Sequence, residues 1–202
     1  MRLPRIIAVA LVVAVATGAC SSGSSKPHTA PGVTGTRASE LSLNVTAADL
    51  VGPDKPMAPL DDPVRSLVEK DLQGVFDATV ADPLTTGRGG EIGKLFTDDA
   101  AVHANLGDRA AIFDENQPRM ARVVPDQLDV QLTGLVGDNH RPTLVVAKLS
   151  WRVHSPNGSL LIERSGELTL TPLYGKWLVS AYDIAVKRVS GGLSTTTTAV
   201  KQ

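Results

Sequence analysis

The spacing of apolar residues changes period once along this chain, near residue 120, and that change constrains the fold more than any motif. Before it, Val64, Leu67, Val68, Leu72, Val75, Phe76 and Val80 recur at intervals of three and four, one stripe of a helix. After it, Leu128, Val130 and Leu132 alternate with Gln127, Asp129, Gln131 and Thr133, and Val145, Ala147, Leu149, Trp151 and Val153 keep the same period of two. Helices first and strands afterwards predict an α+β fold, with the helices packed on one face of an antiparallel sheet.

Local signals set the expected boundaries. Asp61-Asp62-Pro63 predicts a helix start, with Asp62 capping and Pro63 at the first helical position. Pro83 predicts the end of that helix near Ala81, because the residue before a proline avoids helical angles. Ile92, Leu95, Phe96, Ala100 and Ala101 suggest a second, shorter helix from about Glu91, and Asp108 to Phe113 has room for one more turn. Pro156-Asn157-Gly158-Ser159 reads as a tight hairpin turn, followed by a returning strand over 160–171; Tyr174-Gly175-Lys176 reads as another turn, followed by a last strand over 177–186. Upstream, Leu41 to Val45 alternates like a short strand, and Thr46 to Asp49 resembles a capping box. The folded domain is expected over 61–188, and 189–202, with its Gly-Gly and four consecutive threonines, is expected to be a disordered tail. Aromatic residues make up only 3% of the chain, so the core must be aliphatic. A net charge of −1 leaves no electrostatic footprint for nucleic acid or for polybasic docking on a membrane.

The first residues speak to location. Arg2 and Arg5 precede an apolar run from Ile6 to Ala16, and Thr17, Gly18 and Ala19 are small, the three-part layout of a secretory signal. The run is too short for a lasting span, which needs about 20 residues. Ala16-Thr17-Gly18-Ala19-Cys20 resembles the lipobox of bacterial lipoproteins, departing from it at Thr17, where Leu or Val is commoner. That resemblance implies removal of residues 1–19 and acylation of Cys20, the only cysteine, which places the protein on the extracytoplasmic face of the cell membrane. An ordinary cleaved signal with an incidental cysteine is the alternative. Residues 20–60 are then a Ser/Gly/Pro-rich tether, and His28 within it a solvated side chain.

From 61 to 188 the element order, the segment Lys94-Leu95-Phe96-Thr97-Asp98-Asp99-Ala100 and the strand Gly175-Lys176-Trp177-Leu178-Val179 resemble the NTF2-like (cystatin-like) superfamily, including actinobacterial proteins associated with mammalian-cell-entry lipid transporters. The resemblance implies helices filling the concave side of a curved antiparallel sheet. Enzymes of that superfamily place an Asp, His or Tyr in the apolar cone so formed, where burial tunes its pKa. The corresponding candidates are Asp98, Asp99, His103, Tyr182 and Asp183. Asp98 and Asp99 also read as capping or turn residues, and His103 as a core-edge histidine. Asp183 shares an alternating face with Trp177, Val179 and Ala181; if that face is inside, it needs a partner such as Arg152 or His154. If the face is outside, it is a solvated strand residue. Leu144, Val146, Leu161 and Ile184 would give the outer sheet face apolar patches for a homodimer. Tyr174, Trp177 and Leu178 are candidate contact residues where exposed. No metal-ligand spacing and no phosphate loop is present, so no cofactor is expected. The expectation is a non-enzymatic envelope protein that binds a partner protein or an apolar ligand, as an accessory to envelope transport or assembly; the alternative is an extracytoplasmic isomerase- or dehydratase-type enzyme using Asp183 or His103.

Overall fold

A computed structural model describes residues 41–52, 55–137 and 141–202. The expected signal, Cys20, the first part of the tether and His28 lie outside these residues. Seven strands form one sheet in the order β2-β1-β3-β4-β5-β6-β7: β1 Asn44–Gly52, β2 Lys55–Pro59, β3 Val124–Val136, β4 Pro142–His154, β5 Leu160–Leu173, β6 Lys176–Ser190 and β7 Leu193–Lys201. The chain is α+β, as its apolar periods predict. All pairs are antiparallel except β1 with β3, which run parallel from Asn44↔Asp129 to Val51↔Leu135.

The helical layer lies between β2 and β3 in sequence. It begins with α1 (Asp62–Phe76), where Asp61 rather than Asp62 occupies the N-cap position and makes no side-chain cap bond. Val68, Leu72, Val75 and Phe76 form its buried stripe. The helix does not stop at Ala81. It passes through a π turn (Asp77–Ala81) into α2 (Asp82–Thr86). Pro83 has no N–H to bond the Thr79 carbonyl, and the Asp82 N–H bonds Asp77 O instead of Ala78 O. Both released carbonyls find new donors: Gly90 N–H bonds Ala78 O at 3.0 Å and Asp114 N–H bonds Thr79 O at 3.1 Å. The proline therefore changes the helix instead of ending it, and the change fixes two loops. The short helix expected from Glu91 is divided. A 3₁₀ turn (Ile92–Lys94) leads to Phe96, which bridges β6, with Thr97 N–H on Val179 O and Val179 N–H on Leu95 O at 2.9 Å each. Then come α3 (Asp98–His103), a second π turn (Ala104–Asp108) and α4 (Arg109–Ile112).

Two segments expected to lie outside the folded domain are strands of its sheet, the first in part as the alternation of Leu41 to Val45 predicts. Residues 44–52 and 55–59, assigned to the tether, form β1 and β2, so Thr46 to Asp49 extends a strand and caps no helix. Residues 193–201, assigned to a disordered tail, form β7. The missed signal is Gly191-Gly192, with φ of 56° and 84°. Two successive positive φ values make the two-residue hairpin turn that glycine pairs favour, and the threonines that follow are β-branched residues suited to a strand. β6 accordingly runs to Ser190 and is not the last strand.

The interior between helices and sheet is packed with side chains. Val68, Leu72, Phe76 and Leu168 are fully buried, and Trp151 and Trp177 are the two large rings of the core. Phe76 meets Trp151 edge-on, with ring centroids 5.2 Å apart. Asp71 Oδ2 accepts the Trp177 N–H at 2.7 Å, fastening α1 to the start of β6.

The close approach of the 90 loop to the π turn gives a direct check. A Cβ on Gly90 would lie 2.4 Å from Ala78 Cβ. Gly90→Ala should lower stability by about 1–3 kcal/mol, the range for overpacking, measured by urea denaturation.

Candidate functional site

Alternation in β5 and β6 sends Leu160, Ile162, Arg164, Leu168 and Leu170, and likewise Ile184, Val186 and Arg188, to the helix side of the sheet. Two arginines among aliphatic residues need a buried anion. Asp114, just after α4, supplies it. Its side chain is 0% exposed, those of Arg164 and Arg188 2% and 6%. Arg164 Nη2 donates to Asp114 Oδ2 at 2.9 Å, and Arg188 Nε donates to Asp114 Oδ1 at 2.8 Å. The second guanidinium charge is met by carbonyls left free where α4 ends. Arg164 Nη1 donates to Ile112 O at 2.6 Å, and Arg188 Nη2 to Ala110 O and Ala111 O at 3.2 and 3.3 Å. Arg188 Nη1 reaches Thr197 Oγ1 on β7 at 3.2 Å. Burial pulls the Arg164 pKa below its ordinary value; the Asp114 charge opposes that shift and the Arg188 charge reinforces it. The cluster is closed to solvent, and its chemistry is that of a clamp joining α4, β5, β6 and β7.

The candidates named from sequence lie elsewhere, Asp98, Asp99 and His103 on α3 and Tyr182 and Asp183 on β6. β6 carries a bulge: Leu170 pairs with Val179 but Thr169 with Ala181. One extra residue inverts the alternation beyond it. Asp183 therefore faces outward and is exposed, while Tyr182 and Ile184, 2% and 3% exposed, face inward. Asp183 does not share a face with Trp177 and Val179, and Ile184 adds nothing to the outer face. The partners suggested for Asp183 are engaged elsewhere: Arg152 pairs with Glu163, and His154 Nδ1 lies 3.2 Å from Asp126 Oδ1. His103 is exposed at the end of α3, not in the interior. Asp98 and Asp99 are exposed in the first turn of α3, and Asp99 pairs with Lys201 at 2.9 Å, which holds its carboxyl below the usual range. Tyr182 OH donates to Asp108 Oδ2 at 2.8 Å, and burial followed by that bond raises its pKa. Trp177 is buried and so is no contact residue, whereas Tyr174 is 93% exposed at the β5–β6 turn.

The outer sheet face is where polar groups meet solvent. Two adjoining shallow clefts, about 300 and 230 Å³, share Gln127 and Ser150. Asp129 lines the first, accepting from Gln127 Nε2 at 2.8 Å and Asn44 Nδ2 at 2.7 Å, which lowers its pKa. Glu163 lines the second, and its bonds from Lys187 and Arg152 lower its pKa in turn. Lys148 projects from β4 into the first cleft. This surface offers fixed donors and acceptors across several strands. Among the described residues, no group of three or more His, Cys, Asp or Glu side chains is placed to hold a metal ion.

The two aspartates make opposite predictions. Asp114→Ala should cost about 3–5 kcal/mol, because it strands two buried cations. Asp183→Asn should stay within about 0.5 kcal/mol of wild type, as exposed substitutions do. Urea unfolding of both variants checks the pair.

No protein-family model matches the chain, and no curated protein or solved structure matches it significantly.

Proposed function

We propose that this is a lipid-anchored envelope protein, held on the extracytoplasmic face of the membrane through acyl chains at Cys20. We read its folded domain as a divergent NTF2-like one that works by binding a partner protein across the outer face of the sheet, in envelope transport or assembly, and not by chemistry. The observation that carries this reading is the packing of the interior. The space where the superfamily's enzymes keep a reacting group holds Val68, Leu72, Phe76, Trp151 and Leu168, all buried. The charged groups beside them are bound to one another and to backbone. The element order supports the fold assignment: one long helix and shorter ones precede a run of antiparallel strands. β1, parallel to β3, together with β2 and β7, are additions to the pattern expected from sequence. The partner surface is assigned to the outer face because Lys148, Asp129, Arg152 and Glu163 give it both signs of charge on a rigid sheet.

Two measurements test the reading. Intact-mass spectrometry of the membrane-extracted protein should give residues 20–202 plus acyl chains, and Cys20→Ala should abolish both the added mass and the membrane association. A bare, soluble chain cut near residue 19 would remove the anchor. In a deletion strain, His103→Ala/Asp183→Asn should restore function as wild type does, and Lys148→Glu/Arg152→Glu should fail while folding normally. The reverse pattern would favour an extracytoplasmic enzyme acting on a small apolar substrate.

A further inference from the structure

The sheet ends in two strands of different character. β2 is five residues long and includes Pro56 and Pro59. Each proline removes a backbone N–H, a common way of closing an edge to further pairing. β7 is nine residues long, with no proline and no charge before Lys201. It pairs with β6 alone, and residues 193–198 and 200 are exposed. Its far side therefore presents a row of backbone donors and acceptors to solvent.

Exposed apolar side chains lie along the same edge, at both ends of β7 and on both faces of the sheet. Leu193 is 77% and Val200 48% exposed on β7 itself. Val102 and Leu106, 55% and 84% exposed, lie on the helical segment tied to this end of the sheet by the Lys201–Asp99 pair and the Tyr182–Asp108 bond. Tyr182 and Lys201 are themselves paired across β6 and β7.

We infer that β7 pairs antiparallel with β7 of a second copy of this chain, joining the two sheets edge to edge about a two-fold axis. Such an axis stands perpendicular to the sheet, so residues on the same face come opposite one another. Registers centred on Thr196 or Thr197 meet this requirement. In the first, Thr196 faces its own copy and Thr195 faces Thr197; in the second, Thr197 faces its own copy and Thr196 faces Thr198. The four threonines thus make the strand complementary to itself, and cross-strand threonine pairs are favourable. No like charges meet, because Lys201 falls opposite Gly191 or Leu193. A partner of another kind would need a pattern on this edge to select it, and a run of threonines carries none. Both helical layers fall on one side of the joined sheet, which places Val102 and Leu106 of the two copies on that same side. This is the closed, isologous arrangement usual for homodimers. It uses a surface separate from the outer face assigned to the partner protein.

The test is the oligomeric state of the full chain in detergent, by light scattering with the detergent contribution subtracted. Wild type should have the mass of a dimer. Thr196→Lys and Thr196→Glu, each at an exposed position, should be monomeric alone, because like charges meet directly in the register centred on Thr196 and diagonally in the one centred on Thr197, and an equal mixture of the two should recover the dimer. A monomeric wild type, or a Thr196→Lys chain that stays dimeric, overturns the inference. Amide hydrogen exchange on wild type gives a reading that needs no variant. The amides of 193–201 that point away from β6 should exchange more slowly as protein concentration rises, and exchange independent of concentration overturns it equally.

Discussion

Two guanidinium groups share one carboxylate inside this domain, and the placement of α4 and of the last three strands follows from satisfying them. Asp114 alone cannot neutralise Arg164 and Arg188, so the excess positive charge has to meet carbonyl oxygens. Those oxygens are available where α4 ends, at Ala110, Ala111 and Ile112. The helix end, the loop after it and the two strands are thereby held to one geometry. Apolar side chains of similar volume would tolerate some sliding of helix over sheet. Here a slide would leave a buried ion without its partner, a penalty of several kcal/mol. The cluster's worth lies in selecting one arrangement, since ionic groups taken out of water add little net stability by themselves.

The same aspartate is held from its backbone. Pro83 deprives Thr79 O of its helical donor, and Asp114 N–H takes the place of that donor. A proline in the first long helix thus helps position, 31 residues later in sequence, the carboxylate that organises the sheet's far side. Thr79 Oγ1 donates to Val75 O at 2.7 Å and so satisfies its own buried hydroxyl within the helix. Helix irregularity and ionic clamp are one construction: the irregularity supplies the carbonyl and the loop supplies the charge.

Much of this was open to reading from residue spacing, and the failures have identifiable causes. The alternation of Leu128, Val130 and Leu132 and of Val145 to Val153 located β3 and β4 and their inward faces, because one buried face imposes a strict period of two. The same reasoning misplaced Asp183 and Ile184, since a bulge at Ser180–Ala181 breaks the period and nothing in the local composition announces it. Pro83 predicts a stop when only its local effect counts; the compensating donors come from Gly90 and Asp114, beyond the reach of a helix rule. For β7 the signal is legible, Gly191-Gly192 followed by β-branched residues, but a run of threonines at a chain end equally fits a frayed tail. The clamp was half legible. Arg164 and Arg188 occupy inward positions of alternating strands and so demand a buried acid, but alternation alone does not say that the acid is Asp114.

The parallel pairing of β1 with β3 has a consequence for the order in which the chain can fold. Asn44 bonds Asp129, 85 residues further along, and Arg188 must reach Asp114 across 74. A chain delivered from its N-terminus presents β1 and β2 long before β3 exists to receive them, and Asp114 before either arginine. The contacts that form cheaply, with short loops to close, are the β1–β2 hairpin and the hairpins of β3 through β7. The meander is therefore the natural first structure, with β1 adding to its side afterwards. Vectorial folding during synthesis gains little in such a topology: β1 and β2 can pair with each other early, but their place beside β3 opens only later.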